Sequence, residues 1–380
     1  MRTVRFGIIG CGLMGREFAS ATARWCHLLN TDVRPEIVAV CNRSPAPFEW
    51  FRQNFPAVTQ FTPGYRNVLE NPNVDAVYVA VPHHLHEEIC RAAIEAGKHL
   101  MAEKPIGIDL AANRAIMTCA AKHPDVFFRC ASQWVFYPAA QRLGEIADRG
   151  AFGRIIEVNA AFQHSSDLDP NKPINWKRMV EFNGEYGVMG DLGMHVCAFP
   201  FRAGWVPRNV RAVLSDIVKE RPDGKGGRAA CKTWDNATLL CETSAPAGSD
   251  SFPMTLKMQR IAPGQKNTWS IEVLGTKTSA RYSTRNPKRL ELLEYSGGEQ
   301  VWGQAETGHE TAFKTITGAI FEFGFPDSIL QMWAAFLYEM VHNLPLKRFA
   351  GCVTPEEASL SHRLFTAALA SQRKQTVEPV

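Results

Sequence analysis

The chain has no Cys-x-x-Cys pair, no run of 18 or more apolar residues and no block of like charge. The first absence speaks against a zinc site with that spacing. The ten cysteines are scattered instead, several inside apolar runs where reduced thiols pack as core. The second absence leaves no candidate for a membrane-spanning helix. The third, with a net charge of only +4, argues against a nucleic-acid or membrane surface as partner. Internal repeats and low-complexity tracts are also missing. The opening Met-Arg-Thr-Val-Arg-Phe runs straight into a strand-like stretch with no signal-peptide pattern, so a cytoplasmic location is expected. What is present is a soluble-enzyme composition, 45% hydrophobic and 21% charged, over 380 residues, enough for two cores.

The first third alternates strand and helix patterns. Val4–Ile9 is an apolar run that enters Gly10-Cys11-Gly12-Leu13-Met14-Gly15, a complete G-x-G-x-x-G, and a helical pattern follows to about Leu29. Strand before and helix after make this motif a candidate dinucleotide loop. Gly10 allows the tight turn. Gly12 lets the backbone approach a pyrophosphate, with Leu13 and Met14 opening the helix whose N–H groups face the phosphates. Gly15 lets the helix lie close to the strand. Ile37–Cys41 is the second strand, and its end should carry the residue that reads the adenosine ribose. An acidic residue there would repel a 2′-phosphate. This chain has Asn42 followed by Arg43, so NADP is favoured over NAD.

Val74–Val81 is near-continuously apolar, as a buried parallel strand is, and ends at Pro82-His83-His84-Leu85-His86. The three histidines match no familiar ligand spacing. Val81, Pro82, His83 and His86 read as lining beside the cofactor, and no metal is expected. A helix to Ala96 is closed by Gly97. His99–Ala102 is a short strand that stops at Glu103-Lys104-Pro105. Ligands of open α/β sheets sit beyond the carboxyl ends of the strands, which places Lys104 where chemistry would occur. The plainer alternative is a solvated strand-end lysine. A helix over Leu110–His123 and a strand over Val126–Cys130 complete a doubly wound parallel sheet in residues 1–130.

Residues 131–380 have a different character. Ala139–Arg149 reads as a helix, followed by strand-like runs at Ile155–Phe162, Val210–Val218, Thr238–Glu242, Ser270–Leu274 and Leu290–Tyr295, with a turn at Gly275-Thr276. Many strands with few crossovers predict a large, mostly antiparallel open sheet covered on one face by helices, an α+β domain. Ile329–Val341 and Glu356–Gln372 are amphipathic helices, and the last, about 355–373, could pack back on the first domain. Gly187-Val-Met-Gly190-Asp191-Leu-Gly193-Met-His195 sets Asp191 and His195 four residues apart. On a helix they share a face, a carboxylate and an imidazole suited to moving an alcohol proton. A helix-capping Asp and a core His are the plainer alternatives.

Three signatures stand in order: the Gly10-Gly12-Gly15 loop, Glu103-Lys104-Pro105, and Gly190-Asp191-Leu-Gly193-Met-His195. Together they resemble the glucose–fructose oxidoreductase/inositol dehydrogenase (Gfo/Idh/MocA) family, over essentially the whole chain. The resemblance implies a Rossmann domain, a second domain whose open sheet makes a homodimer or homotetramer, and an NAD(P)-dependent oxidoreductase acting on a sugar, glycoside or cyclitol. It implies Lys104, Asp191 and His195 as the catalytic group, with Glu103 and Lys104 also on the cofactor. Asp169–Lys177 resembles the stretch that lines the sugar site in a branch acting on anhydrosugars, glucosides and inositols, so Trp176 and Lys177 join the expected substrate contacts. Gln133-Trp134-Val135 stands where many members carry Asn-Tyr-Arg. Gln133 and Trp134 are thus expected at the substrate, and an acidic sugar is disfavoured. Val81-Pro82-His83 likewise departs from a common Thr-Pro-Asn.

Under that reading His195 removes the hydroxyl proton, Asp191 orients the imidazole and Lys104 stabilises the developing alkoxide. Lys104 as base would need a large fall from its usual pKa of about 10.4. Two other readings stay open: a glycosidase using transient oxidation by held NAD, and a non-catalytic dinucleotide-binding sensor.

Overall fold

The computed structural model describes residues 1–244, 251–307 and 311–380. The chain divides into two compact units, Met1–Phe136 with His309–Glu356, and Tyr137–Gly308 with Glu357–Val380.

The first unit is built on six strands: β1 (Arg2–Ile9), β2 (Val33–Cys41), β3 (Gln60–Thr62), β4 (Ala76–Val79), β5 (His99–Ala102) and β6 (Phe128–Cys130). They pair in the order β3-β2-β1-β4-β5-β6, all parallel. The connecting helices are α1 (Leu13–Ala23), α2 (Phe48–Asn54), α3 (Tyr65–Leu69), α4 (His86–Glu95) and α5 (Leu110–Ala120). This is the doubly wound sheet that the alternating pattern predicts. The first helix is shorter than expected: it stops at Ala23, and Trp25–His27 forms a 3-10 turn. The reason is tertiary. Trp25 is buried and its indole N–H donates to the Val33 carbonyl at 2.8 Å, which turns the chain off the helical path. The unit's aromatic core is completed from far along the chain. Trp333, on the helix Phe325–His342, stacks on Phe18 with ring centroids 3.8 Å apart and meets Tyr78 edge-on at 4.9 Å. Such pairs add about 0.5–1.5 kcal/mol each beyond the area they bury.

The second unit carries α6 (Pro138–Asp148), α7 (Val180–Asn183) and α8 (Val188–Arg202), the long C-terminal helix Pro355–Lys374, and a nine-stranded sheet. Its strands are β7 (Ile155–Gln163), β8 (Val206–Ser215), β11 (Asn236–Ser244), β12 (Phe252–Gln259), β13 (Thr268–Gly275), β14 (Thr278–Ser283), β15 (Arg289–Glu294), β16 (Gly303–Glu306) and β17 (Glu378–Pro379), while β9 (Glu220–Pro222) and β10 (Arg228–Ala230) form a separate ribbon. The order is β16-β15-β14-β13-β7-β12-β11-β8-β17, antiparallel except for β7–β12. A turn does follow Gly275, but it joins β13 to β14, a strand absent from the sequence expectation, and not to the Leu290–Tyr295 run. β12 is absent from the sequence expectation, because outward Pro253, Thr255 and Lys257 alternate with buried Phe252, Met254, Leu256 and Met258 and dilute the apolar run. α8 is buried along its whole length and packs on β7, β11 and β12. Among the described residues, no helix is long and apolar enough to cross a membrane.

Charge is buried at the end of this sheet. The Arg178 guanidinium, 0% exposed, lies between the carboxylates of Asp167 and Asp235 and hydrogen-bonds to both. Asp235 also accepts from the main-chain N–H groups of Ile217 (2.6 Å) and Val218 (2.9 Å). The Arg221 guanidinium, equally buried, donates to the carbonyls of Asp167, Asp169 and Lys172 and so holds the 167–172 loop. Removing one partner strands a buried charge, which typically costs about 3–5 kcal/mol. D235A is therefore expected to lose about that much unfolding free energy in urea titrations, whereas removal of the exposed Arg373–Glu185 pair by E185A should cost under about 1 kcal/mol.

Candidate active site

In the first unit the chemistry-bearing residues gather at the carboxyl ends of the strands. Gly10 has φ +108°, and a Cβ there would lie 2.1 Å from the Ala80 carbonyl oxygen. A Cβ on Gly15 would lie 2.3 Å from the Gly10 carbonyl oxygen, so only glycine lets α1 sit this close to β1. Gly12 is different: a Cβ there would meet nothing within 4 Å. It is exposed, as is Leu13 beside it, while Met14 is half-buried. A tight turn, a close helix and an open backbone edge at a helix start are what a dinucleotide pyrophosphate needs, and the loop fits that group.

Asn42 does more than the sequence suggests. Its side-chain oxygen accepts from the Cys11 N–H at 3.2 Å, and its amide N–H donates to the Ser44 carbonyl at 2.8 Å. The residue at the ribose-reading position thus also braces the glycine loop. Arg43 beside it is exposed.

At the end of β4, Val81 and Pro82 are half-buried, and His83 and His86 are buried with their rings 5.8 Å apart. His86 Nε2 lies 3.0 Å from the Val81 carbonyl oxygen, an arrangement in which the imidazole donates. Burial pushes His86 down to about 4; the carbonyls of Val81 and Pro105 oppose that fall and the Lys104 ammonium adds to it. His86 is therefore a neutral strut between the β4 turn and Lys104-Pro105, whose peptide bond is cis. Glu103 is buried and accepts from the Tyr78 hydroxyl, tying the strand end to the aromatic core. Lys104 is half-buried. Gln133 is buried, and Trp134 is buried with its ring 6.1 Å from Phe325.

In the second unit, Asp191 lies in the first turn of α8 and His195 one turn on, as the spacing predicts. Both are buried, and the His195 ring meets Phe162 edge-on at 5.3 Å. The glycines of this motif serve packing within the protein. Gly187 has φ +56° and a Cβ there would come within 2.6 Å of the Trp234 nitrogen, while one on Gly193 would enter the Phe365 ring at 2.2 Å. The Asp191 carboxylate accepts from the Lys177 ammonium at 3.0 Å on each oxygen, and from Arg260 Nε at 3.3 Å. One carboxylate is held by two cations. Lys177 is 39% exposed and its Nζ lies 5.8 Å from the half-buried Trp176 ring.

Sequence reasoning missed two residues here, Arg260 and His164. His164 follows β7, and its Nδ1 is 2.7 Å from the Ser166 hydroxyl. Burial pushes His164 down to about 4; the charges of Lys177 and Arg260 also lower it, while Asp191 and Asp167 pull the other way. Neither residue sits in a local motif, and each is a single polar residue at the end of an apolar alternation.

Two family descriptions match the chain. "Oxidoreductase family, NAD-binding Rossmann fold" covers residues 4–129, and "GFO/IDH/MocA C-terminal domain" covers residues 140–281. The chain belongs to the Gfo/Idh/MocA oxidoreductase family. Among relatives in this family, levoglucosan dehydrogenase of Pseudarthrobacter phenanthrenivorans is 27% identical over 314 residues, 77% of this chain and 76% of that protein. D-xylose 1-dehydrogenase (NADP(+)) of Hypocrea jecorina is 25% identical over 79% of this chain and 77% of its own length. The solved structure of levoglucosan dehydrogenase in complex with NADH superposes with a TM-score of 0.87 at 22% identity, covering 100% of this chain and 99% of that one, which shows that the Gfo/Idh/MocA fold is shared.

The neutral state of His86 has a consequence for stability. Its folded pKa, about 4, lies below the unfolded value of about 6.5, so the unfolded chain binds more protons between them. The contribution is complete above pH 6.5 and is lost as pH falls towards 4. Unfolding free energy is expected to drop by roughly 1–3 kcal/mol through this window from His86 alone. H86Q should show a flatter pH dependence over the same range in chemical denaturation.

Proposed function

We propose that the chain is an NAD(P)-dependent dehydrogenase that acts on a secondary carbinol of a neutral carbohydrate: a sugar, a glycoside or a cyclitol. The observation that carries this reading is the Lys177–Asp191–Arg260 group one helical turn ahead of His195. A carboxylate held by two cations and an imidazole on one buried helix are equipment for moving a proton, which a binding sensor does not need.

A bound nicotinamide supplies the hydride acceptor. The protein's own groups do the rest. His195 takes the proton of the reacting hydroxyl, and Asp191 stabilises the imidazolium that results. Lys104 donates to the same oxygen and offsets its developing negative charge. Gln133, Trp134, Trp176 and Lys177 contact the other substrate groups, with the Trp176 face suited to the C–H side of a sugar ring. The dinucleotide is held by Gly10, Gly12, Leu13 and Met14 at its phosphates, by Asn42 and Arg43 at its ribose, and by Val81, Pro82, His83, His86, Glu103 and Lys104 on the nicotinamide side. With no carboxylate at the end of β2 and an exposed Arg43, NADP is the favoured form. Residues 1–130 form the cofactor domain of this assignment and 131–380 the substrate domain, although 309–356 belong to the first compact unit. The enzyme works in the cytoplasm, where its eight buried cysteines stay reduced. A second copy of the chain covers the outer face of the nine-stranded sheet, where Ile156, Val213 and Leu240 are exposed.

The decisive measurement is a panel of glucosides, anhydrosugars, inositols and free aldoses with NAD and NADP, read by absorbance of the reduced nicotinamide. K104A and H195A should each lower turnover by about 10²–10⁴ while cofactor binding survives. Normal turnover in either variant sinks its assignment, and release of free sugar without reduced cofactor points to a glycosidase. R43A is expected to raise KM for NADP roughly tenfold or more while KM for NAD changes little.

A further inference from the structure

Arg260 belongs to the group on Asp191, yet no step of the chemistry above is assigned to it. It stands just past β12 and is 0% exposed. Its three guanidinium nitrogens serve three different groups. Nε donates to the Asp191 carboxylate at 3.3 Å, Nη1 to the Lys177 carbonyl at 3.2 Å, and Nη2 to the Gly187 carbonyl at 3.4 Å. One planar cation therefore ties the start of the helix that carries Asp191 and His195 to the segment that carries Lys177. Burying a full charge is costly, and an uncharged amide could serve both carbonyls. What only a cation supplies is charge: longer-range attraction to Asp167 and Asp235, and a second positive charge on Asp191. The first comes from Lys177, which is 39% exposed and stands on a short turn, Trp176–Arg178.

We propose that Arg260 is a positioning residue for the proton-transfer group: it keeps the Asp191 carboxylate charged and in a single orientation while the Lys177 ammonium turns between that carboxylate and a substrate hydroxyl. The division of labour follows from the geometry. Arg260 is fully buried and fixed by three acceptors, and cannot follow a ligand. Lys177, on a flexible stem with its head in partial contact with water, can. The charged and titratable groups near Asp191 include Lys177 from the turn after Asn175, Arg260 from the end of β12, His164 from the end of β7 and His195 on its own helix, and Arg260 in turn faces Asp167, Asp235 and Arg178. The catalytic consequence rests on the dehydrogenase reading; the hold on Asp191 does not.

The two are tested separately with wild type, R260Q, R260K and K177Q. The Asp191 titration is followed by NMR of side-chain-labelled aspartate, with D191N assigning the signal. R260Q is expected to raise the Asp191 midpoint by about 1 unit or more, and R260K to restore it. K177Q should leave that midpoint at or below the ordinary carboxylate value of about 4. In turnover, R260Q should lose roughly tenfold or more in kcat with KM changed less than about threefold, and R260K should regain most of the rate. An Asp191 that titrates in R260Q as in wild type overturns the proposal, as does a K177Q protein whose Asp191 rises above the ordinary range. Should R260Q fail to fold, the K177Q and R260K titrations decide the role of Arg260. Wild-type protein that reduces neither cofactor with any carbohydrate of the panel overturns the dehydrogenase reading, and the same titrations still test the hold on Asp191.

Discussion

A buried cation must have partners, and that constraint organises the second unit. Arg178, Arg221 and Arg260 are each at most 1% exposed. Arg178 closes on Asp167 and Asp235; Arg221 gathers the carbonyls of the 167–172 loop; Arg260 gathers Asp191, Lys177 and Gly187. Arg221 lies on β9 of the short ribbon, whereas Arg178 stands on a 3-10 turn and Arg260 just past β12, where no sheet ladder sets the geometry. Charge pairing does that work instead. Leaving any one partner out would strand a charge in a medium that screens it poorly, so the arrangement resists partial disorder. Its cost is met by the hydrophobic burial of α8 against the sheet, with Phe199, Trp205, Phe252 and Trp269 in contact beside it.

The first unit is held by a different constraint, backbone proximity. β1 and α1 meet where Gly10 and Gly15 have no side chain to separate them, and the Gly10–Ala80 approach leaves no room for a methyl group. The strand ends so aligned are then cross-braced by single polar contacts: Asn42 to the glycine loop, His86 to Val81, and Tyr78 to Glu103. Each brace links a candidate cofactor residue to a neighbouring strand or to the core. A position such as Asn42 thus has two duties, and its identity reflects loop support as well as ribose recognition.

Much of this was legible in order along the chain. The Gly10–Gly15 motif, the near-continuous apolar strands and the stop at Glu103-Lys104-Pro105 carry a parallel sheet with its ligand edge, because sheet topology and helix dipoles make that edge a binding place whatever the side chains. Asp191 and His195 were legible as a pair because a helix turns once in 3.6 residues. The boundaries were less so. Trp25 shortens α1 by finding the Val33 carbonyl, a contact that no local pattern contains. β12 went unread because a half-exposed strand beside a parallel partner shows neither a continuous apolar run nor a turn-bounded hairpin.

What the sequence determined by itself is local and periodic: the Gfo/Idh/MocA membership, the dinucleotide loop, and the helix carrying a carboxylate and an imidazole one turn apart. What only the tertiary structure decided is who stands on that carboxylate. Arg260 and Asp191 are 69 residues apart in the chain, and Arg178 and Asp235 are 57 apart. Electrostatic partners across such distances are chosen by which helix, turn and strand ends the fold brings together, and that order is a property of the folded chain that residue spacing does not encode.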